Sequence, residues 1–227
     1  MTKNLQQLIE TGARQYRDLV LEVKELENEE DDSKVVEGFA TTYNEPYHLF
    51  RFKGNDGYTI EFKEEVDRHA FDDTDMSDVI MQYDHQGRVF ARQSNGTLEL
   101  DKNNEKGLYI RANLSGTEIG RQLYQEIKGG YTNKMSFGFT VTGETKKTTK
   151  DADGHVTILR TITRIGKLYD VSAVSLPAND ATEISSRTIG DGLIAEALKE
   201  VQAEEERQRR IGEIRKILNQ EDDNHDE

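Results

Sequence analysis

Short apolar runs of strand length, separated by turn residues, recur through the middle of this chain and limit the folds that it can adopt. Residues 87–92, 98–100 and 108–114 alternate between apolar and polar side chains, with turn signals between them. Such alternation is typical of strands that bury one face. These three runs therefore predict a β-meander. Further strands are predicted at residues 35–43, 58–62, 79–83, 133–140, 156–165 and 168–176.

One segment between these runs has a helical pattern. Ser115 and Glu118 have the spacing of a capping box, and Gly129 and Gly130 end the pattern. Between them, apolar residues at every fourth position form one stripe, as on the buried face of an amphipathic helix: Ile119, Leu123 and Ile127. We therefore predict a helix in this segment.

Two other segments have weaker patterns. Residues 64–71 are predicted to form a short helical element, and residues 1–33 a short helix followed by a strand at 18–24. Combined with the strand-like runs, these helices predict a mostly β domain of the α+β class with flanking helices.

The composition changes near residue 184, where alanine, glutamate and arginine become frequent. The apolar residues beyond this point form two narrow helical stripes, which are too narrow for a core helix: Ile194, Leu198 and Val201, then Ile211, Ile214 and Leu218. We therefore divide the chain into an N-terminal segment at 1–33, a domain at 34–184 and an acidic helical extension at 185–227. The extension is expected to dock on another protein or to stay partly mobile.

The net charge restricts the partners. The chain carries a formal charge of −14, with acidic residues concentrated at 25–32 and 221–227. Nucleic-acid phosphates require lysine and arginine, so no nucleic-acid partner is expected. A protein partner with a basic surface fits this charge better. The N-terminus lacks the apolar core of a signal peptide, and no run of about 18 apolar residues occurs, so a soluble, non-secreted protein without a membrane partner is expected.

The residue types also exclude several chemistries. The chain has no cysteine, which excludes disulfides, thiol catalysis and thiolate zinc sites. No pair of histidines has the spacing of metal ligands, and no glycine-rich phosphate loop is present. We expect neither a cofactor nor a metal site.

Three residues of the strand-like runs could form a nucleophilic site. Ser136 lies within the apolar run at 133–140, His85 follows the run at 79–83, and Asp170 lies in the run at 168–176. In a nucleophilic hydrolase, histidine takes the hydroxyl proton of serine, the serine oxygen attacks a carbonyl, and the acid orients the imidazole. The order His, Ser, Asp differs from the three common orders of Ser-His-Asp enzymes, so those protease folds are not supported.

Spacing alone leaves structural roles open for each of these residues. A serine in an apolar strand often only packs, and an ion pair with Arg164 or Lys167 is the alternative for Asp170. Asp84, which precedes His85, could orient the imidazole, but adjacent residues of a strand point to opposite faces. The other histidines, which occupy polar or turn segments, are His48, His69, His155 and His225.

Several motifs occur in a fixed order between residues 35 and 182. They are Val36-Glu37-Gly38-Phe39-Ala40 with Tyr43-Asn44, Glu65-Val66-Asp67-Arg68-His69-Ala70-Phe71, Tyr83-Asp84-His85 with Gly87-Arg88, Lys106-Gly107-Leu108, Ile127-Lys128-Gly129-Gly130, Met135-Ser136-Phe137-Gly138-Phe139, and Leu168-Tyr169-Asp170-Val171-Ser172-Ala173-Val174-Ser175-Leu176-Pro177-Ala178-Asn179. In this combination the sequence resembles the prohead maturation proteases of tailed bacteriophages. The fold of that family is similar to the fold of the herpesvirus assembly protease.

The resemblance implies a closed or nearly closed β-barrel flanked by helices, and a serine endopeptidase. It implies His85 as the general base and Ser136 as the nucleophile. Asp170 falls where the family has an acidic residue, more often glutamate. The sequence departs from the family pattern at His69, where the family usually has glycine, but His69 is not one of these three residues.

The resemblance also implies a biological setting. The expected substrates and partners are the scaffolding protein or the scaffolding segment of the major capsid protein, and usually the protease itself, so self-association is possible. The expected location is the assembling prohead in the cytoplasm of the bacterial host. The acidic extension then resembles a targeting or removable tail. The alternative is a capsid-assembly or scaffolding protein without catalytic activity, in which the same fold serves as a docking platform.

Overall fold

The computed structural model describes residues 14–19, 24–25, 34–53 and 59–175, and helical residues at 199, 203, 206, 207 and 209–214. Strands dominate, which confirms the predicted mostly β class at this coarse level. The strands are β1 (Arg14–Leu19), β2 (Lys24–Glu25), β3 (Val35–Thr42), β4 (Tyr47–Lys53), β5 (Thr59–Val66), β6 (Ile80–Tyr83), β7 (Gln86–Arg92), β8 (Leu98–Asp101), β9 (Gly107–Asn113), β10 (Lys134–Lys150) and β11 (Val156–Val174). A 3₁₀ turn, Gln93–Asn95, precedes β8, and helix α1, Glu118–Lys128, precedes β10.

The strands form two sheets. The larger sheet has the order β1-β10-β11-β5-β4, and β6 joins it beside β11 and pairs in turn with β7. The smaller sheet has the order β2-β3-β9-β8. The predicted meander is therefore wrong in part: β8 and β9 pair, but β7 pairs with β6 in the other sheet. The chain changes sheets at the 3₁₀ turn between β7 and β8.

The expected barrel does not close within the part of the chain that the structure describes. A sheet closes when its first and last strands pair. Here strand β11 branches the larger sheet instead, because residues 156–162 pair with β5 whereas residues 170–173 pair with β6. Register shifts between β10 and β11, from Gly138 to Glu144, allow this long hairpin to bend between its two halves.

Helix α1 forms where the apolar stripe predicts it, and it buries Leu123 and Ile127. Its N-cap is Thr117 rather than the predicted Ser115, since the Thr117 hydroxyl accepts a hydrogen bond from the backbone N–H of Gly120 at 3.0 Å. No helix in the described residues is long and apolar enough to span a membrane.

Two N-terminal expectations differ from the structure. The predicted helix at 64–71 is wrong, since β5 continues to Val66 and is followed by turns. Residues 14–19 form β1 and residues 24–25 form β2, so the strand expected at 18–24 begins earlier, at Arg14. The helix expected before it lies outside the described residues.

An apolar cluster packs against the central strands of the larger sheet. Phe137 and Phe139 of β10 are fully buried, and their rings stack with centroids 4.4 Å apart. Phe71 packs against Phe137 from the turn after β5, at 6.4 Å. These contacts fix β10, and Ser136 lies between two buried neighbours, Met135 and Phe137.

Candidate active site

The imidazole of His85 is presented by a tight turn. Strands β6 and β7 are joined by Asp84 and His85, with Tyr83 paired to Gln86 across the turn. Both central residues have positive φ, 48° and 58°, as a type I′ hairpin requires. This conformation costs non-glycine residues about 1–3 kcal/mol each and is concentrated at functional sites. The turn therefore holds His85 in a conformation that local propensity does not favour.

The Asp84 carboxylate binds Ser175. It accepts hydrogen bonds from the backbone N–H of Ser175 at 2.9 Å and from the Ser175 hydroxyl at 2.8 Å. The backbone N–H of Asp84 donates to the carbonyl of Ala173 at 3.0 Å. Asp84 thus ties the turn to the end of β11 and fixes its position.

The topology brings the three predicted residues together. Strand β11 lies between β10 and β6, and Asp170 is the β11 residue in register with Gly138 on one side and Ile80 on the other. Ser136 lies two residues before Gly138, and the turn after β6 extends towards it. Neighbouring strands are only about 4.8 Å apart, so side chains from all three strands reach one point.

The three side chains lie in series within hydrogen-bonding distance of one another. His85 Nε2 lies 2.6 Å from Ser136 Oγ, and His85 Nδ1 lies 2.5 Å from Asp170 Oδ1. Since the carboxylate is an acceptor, Nδ1 carries a proton, and Nε2 of the neutral ring is then free to accept the serine proton. Ser136 and Asp170 are fully buried, and the His85 side chain is 11% exposed. The arrangement has the geometry that nucleophilic acyl transfer requires.

Asp170 is held as an anion by its neighbours. Burial alone would raise its pKa, but the hydrogen bond from His85 and the positive charge of that ring when it is protonated, assisted by Ser172 and Arg14, lower the pKa of Asp170 below its ordinary value. Ser172 Oγ donates to Asp170 Oδ1 at 2.7 Å, and Arg14 Nη2 donates to Oδ2 at 2.5 Å. The carboxylate therefore stays ionised to lower pH than an isolated aspartate.

The ion pair considered as an alternative for Asp170 is not formed with Lys167. That lysine donates to Asp75 at 2.7 Å instead. The remaining histidines within the described residues have other neighbours: His48 lies 3.8 Å from Glu61, His69 lies 3.1 Å from Asp72, and His155 is exposed in a turn. His225 lies outside the described residues. No group of three or more acidic or histidine side chains in the described residues could hold a metal ion.

Strand β1 contributes residues that the sequence pattern did not identify. The Tyr16 ring packs on the His85 imidazole with centroids 4.3 Å apart, and Arg14 binds Asp170 as described above. The residues of β1 are mostly charged or polar, so hydrophobic periodicity gives no signal for them. Tyr16 limits the positions that the imidazole ring can occupy.

The Ser136 hydroxyl has two acceptors for one proton. Besides His85, it lies 2.8 Å from the backbone carbonyl oxygen of Arg17, to which it donates. When the proton points to Arg17, it is not shared with His85 Nε2. Strand β1 therefore contacts all three members of the hydrogen-bonded chain.

Comparison with known protein families gives a match. A family model described as caudovirus prohead serine protease matches residues 20–193, which is more than half of the 227-residue chain. No curated protein and no solved structure matches the chain.

Proposed function

We propose, because this chain belongs to the caudovirus prohead serine protease family, that it is a serine endopeptidase of capsid maturation. One observation carries the proposal: Ser136 Oγ lies 2.6 Å from His85 Nε2, and His85 Nδ1 lies 2.5 Å from Asp170 Oδ1. The family match supplies the reaction class, and the geometry supplies candidates for each role.

In the proposed reaction Ser136 is the nucleophile and His85 is the general base. Ser136 Oγ forms a bond to the carbonyl carbon of the substrate while its proton moves to His85 Nε2. The peptide C–N bond then breaks, and His85 returns that proton to the leaving amine. Water attacks the resulting ester in the same way and releases the acid. Asp170 keeps Nδ1 protonated and stabilises the imidazolium that forms twice in the cycle.

The substrates that we propose are capsid components. They are the scaffolding protein or the scaffolding segment of the major capsid protein, together with the protease itself, inside the prohead of the bacterial host. The herpesvirus-protease-like character of the fold belongs to this proposal as well. We also propose that residues 34–184 form the protease domain, preceded by a segment at 1–33, and that 185–227 docks on capsid or scaffold. Ile214, whose side chain is exposed, is one apolar residue of that extension.

Co-expression with the major capsid protein of the same phage tests the function. The full chain is expected to shorten the capsid or scaffolding protein at defined sites, seen by mass spectrometry of assembled particles. Particles that assemble normally with the protein incorporated, while all capsid and scaffolding chains keep their full mass, would instead identify a non-catalytic docking platform.

A glycine next to Asp170 gives a prediction that is specific to this geometry. A Cβ at Gly138 would lie 2.4 Å from Asp170 Oδ2 and 2.9 Å from Tyr16 Cε1. Gly138→Ala is therefore expected to displace the carboxylate and lower the cleavage rate by about 10²-fold, as misplacements of about 1 Å do. Gly116→Ala is the matched control, since its Cβ would meet nothing within 4 Å. Normal cleavage by a folded Gly138→Ala protein would show that the Asp170 position is not critical.

A further inference from the structure

Strand β1 lies on the nucleophile in the way that an extended peptide would. It pairs antiparallel with β10, with Asp18 opposite Ser136 and Arg17 opposite Phe137. The Ser136 hydroxyl donates to the Arg17 carbonyl, and Ser136 is fully buried. Strand addition at a sheet edge is a common mode of peptide recognition, in which backbone pairing gives affinity and pockets give specificity. β1 also precedes the region matched by the family model, which begins at residue 20.

The Arg17 side chain fills a pocket formed by other strands. It is 1% exposed, and its Nε and Nη2 atoms donate to the two carboxylate oxygens of Glu64 at 2.5 and 2.9 Å. The guanidinium also lies 5.7 Å from the centroid of the Phe139 ring. Two-point binding of a carboxylate with an aromatic ring nearby is the environment that arginine fills better than lysine.

The charges of this pocket favour a cation at the Arg17 position. Glu64 is also bound by Arg160 Nη1 at 2.6 Å, and Arg160 Nε donates to Glu144 at 2.7 Å. These contacts join two arginines to two glutamates. Lys146 also lies 3.5 Å from Glu144, so Glu144 keeps a second cation when Arg17 is absent. Glu64 then keeps only Arg160, which it shares with Glu144, and a buried carboxylate without full compensation is costly. The fully buried Glu64 therefore loses one of its two arginine partners whenever Arg17 is absent.

Glu64 is ionised in this environment. Burial would raise its pKa, but the charges and hydrogen bonds of Arg17 and Arg160 lower the pKa of Glu64 below its ordinary value. Tyr47 donates a hydrogen bond to Glu64 Oε1 at 2.5 Å. This donor remains when β1 is displaced, as does Arg160, so the carboxylate keeps its orientation towards an incoming cation.

We propose that β1 occupies the substrate cleft as a substrate-like segment, and that the Glu64 pocket selects arginine immediately before the bond that is cleaved. The proposal rests on the proposed function, since it assigns the cleft of that same site. Arg17 is the residue whose carbonyl faces the nucleophile, which places its side chain in the position before the cleaved bond. While β1 occupies the cleft, the Ser136 hydroxyl donates to the carbonyl oxygen of Arg17, whereas attack requires a bond from Ser136 Oγ to the carbonyl carbon. β1 therefore blocks the site until a substrate displaces it.

A binding measurement tests the pocket without requiring activity. The full chain carrying Ser136→Ala and Arg17→Ala is titrated with a fluorescent peptide of residues 12–22, followed by anisotropy. The peptide with arginine at position 17 is expected to bind at least about ten-fold tighter than the same peptide with alanine there, because the alanine peptide lacks the charge-assisted hydrogen bonds to Glu64. A peptide with Arg17 and Asp18 exchanged is the matched control and is expected to bind weakly. Equal affinities for the three peptides would overturn the proposal.

A cleavage measurement tests the blocking role. In the chain with Ser136 intact, Arg17→Ala is expected to raise kcat/KM for peptides with arginine before the cleaved bond, and Arg17→Lys to raise it less. Arg111→Ala, which removes an arginine 3.7 Å from Glu99 on the surface, is the matched control with no expected change. Thermal midpoints show whether each variant is folded. A folded Arg17→Ala protein with lower activity would show that β1 completes the site instead of blocking it, and would overturn the proposal.

The two experiments separate the inference from the function on which it rests. Arginine-selective binding without cleavage by any variant would reject the endopeptidase and leave the Glu64 pocket as a peptide-binding site. Cleavage without arginine preference, together with non-selective binding, would reject the pocket and leave the endopeptidase.

Discussion

Ser136→Ala is expected to reduce cleavage of capsid protein or peptide to near background. The substitution removes the only atom that forms a bond to the substrate, and loss of the nucleophile in a serine protease lowers kcat by about 10⁶-fold. The fold should persist, because one buried hydroxyl is lost and little volume is removed. The carbonyl of Arg17 loses a donor, so a decrease in stability of about 1–3 kcal/mol at most is expected. Cleavage rates and thermal midpoints, measured on the same preparation, check both parts.

Ser94→Ala is the matched control for this experiment. Ser94 lies in the exposed 3₁₀ turn before β8, so the same chemical change there should leave cleavage unchanged. If a folded Ser136→Ala protein keeps an appreciable fraction of the normal rate, Ser136 is not the nucleophile. Ser172 and Ser175 are then the serines to replace next.

Asp170→Asn is expected to lower the cleavage rate by up to about 10⁴-fold. Asparagine preserves the shape but permits the wrong histidine tautomer, and the equivalent change in a well-studied serine protease has an effect of this size. The loss corresponds to about 5 kcal/mol of transition-state stabilisation. Asp170→Glu keeps the charge and the acceptor oxygens, so it should retain more activity than Asp170→Asn. Rates for both variants with a single peptide substrate decide the order.

The matched control is Asp75→Asn, an aspartate whose carboxylate binds Lys167 on the surface. Exposed ion pairs contribute only about 0–1 kcal/mol, so neither its activity nor its stability should change much. The pH dependence gives a further check of Asp170. Because its pKa is lowered in the fold, its contribution to stability is present above the unfolded pKa of about 3.9 and is lost as pH falls through the folded pKa. Near-normal turnover by folded Asp170→Asn would leave a Ser136–His85 pair with a different third group.

The local elements could be predicted where one sequence pattern controls them. Helix α1 follows from its apolar stripe, and β10 follows from the apolar run around Ser136. Glu64 shows the limit of such reasoning. It occupies an inward position of β5, where the alternation Ile60, Phe62 and Val66 would continue with an apolar residue. The predicted strand ended at residue 62. Local pattern does not reveal that Glu64 faces inward, because its buried partners, Arg17 and Arg160, come from distant parts of the chain.

For the candidate site, the sequence indicated the residues but not the contacts between them. His85, Ser136 and Asp170 could be selected as candidates because each lies in or shortly after a strand-like run, and the resemblance supplied the roles proposed for them. Their contact depends on β11 lying between β10 and β6, a pairing between distant segments that no local pattern encodes. The same reason explains why the expected barrel does not close within the described residues, since closure depends on which strand edges meet. The strand predicted at 18–24 in fact begins at Arg14, and its first residues were not recognised because its buried side chains, Gln15 and Arg17, are polar.

Covalent labelling with a fluorophosphonate tests most directly whether Ser136 is an activated nucleophile. The probe forms a bond between its phosphorus and an activated serine oxygen and releases fluoride, and peptide mass mapping locates the adduct. The full chain and its Arg17→Ala variant are both treated, since β1 covers Ser136 in the first. We expect a single adduct, on Ser136, that forms faster in the Arg17→Ala variant and is absent when His85 is replaced by alanine. An adduct on another serine, or none in either chain, would contradict the account.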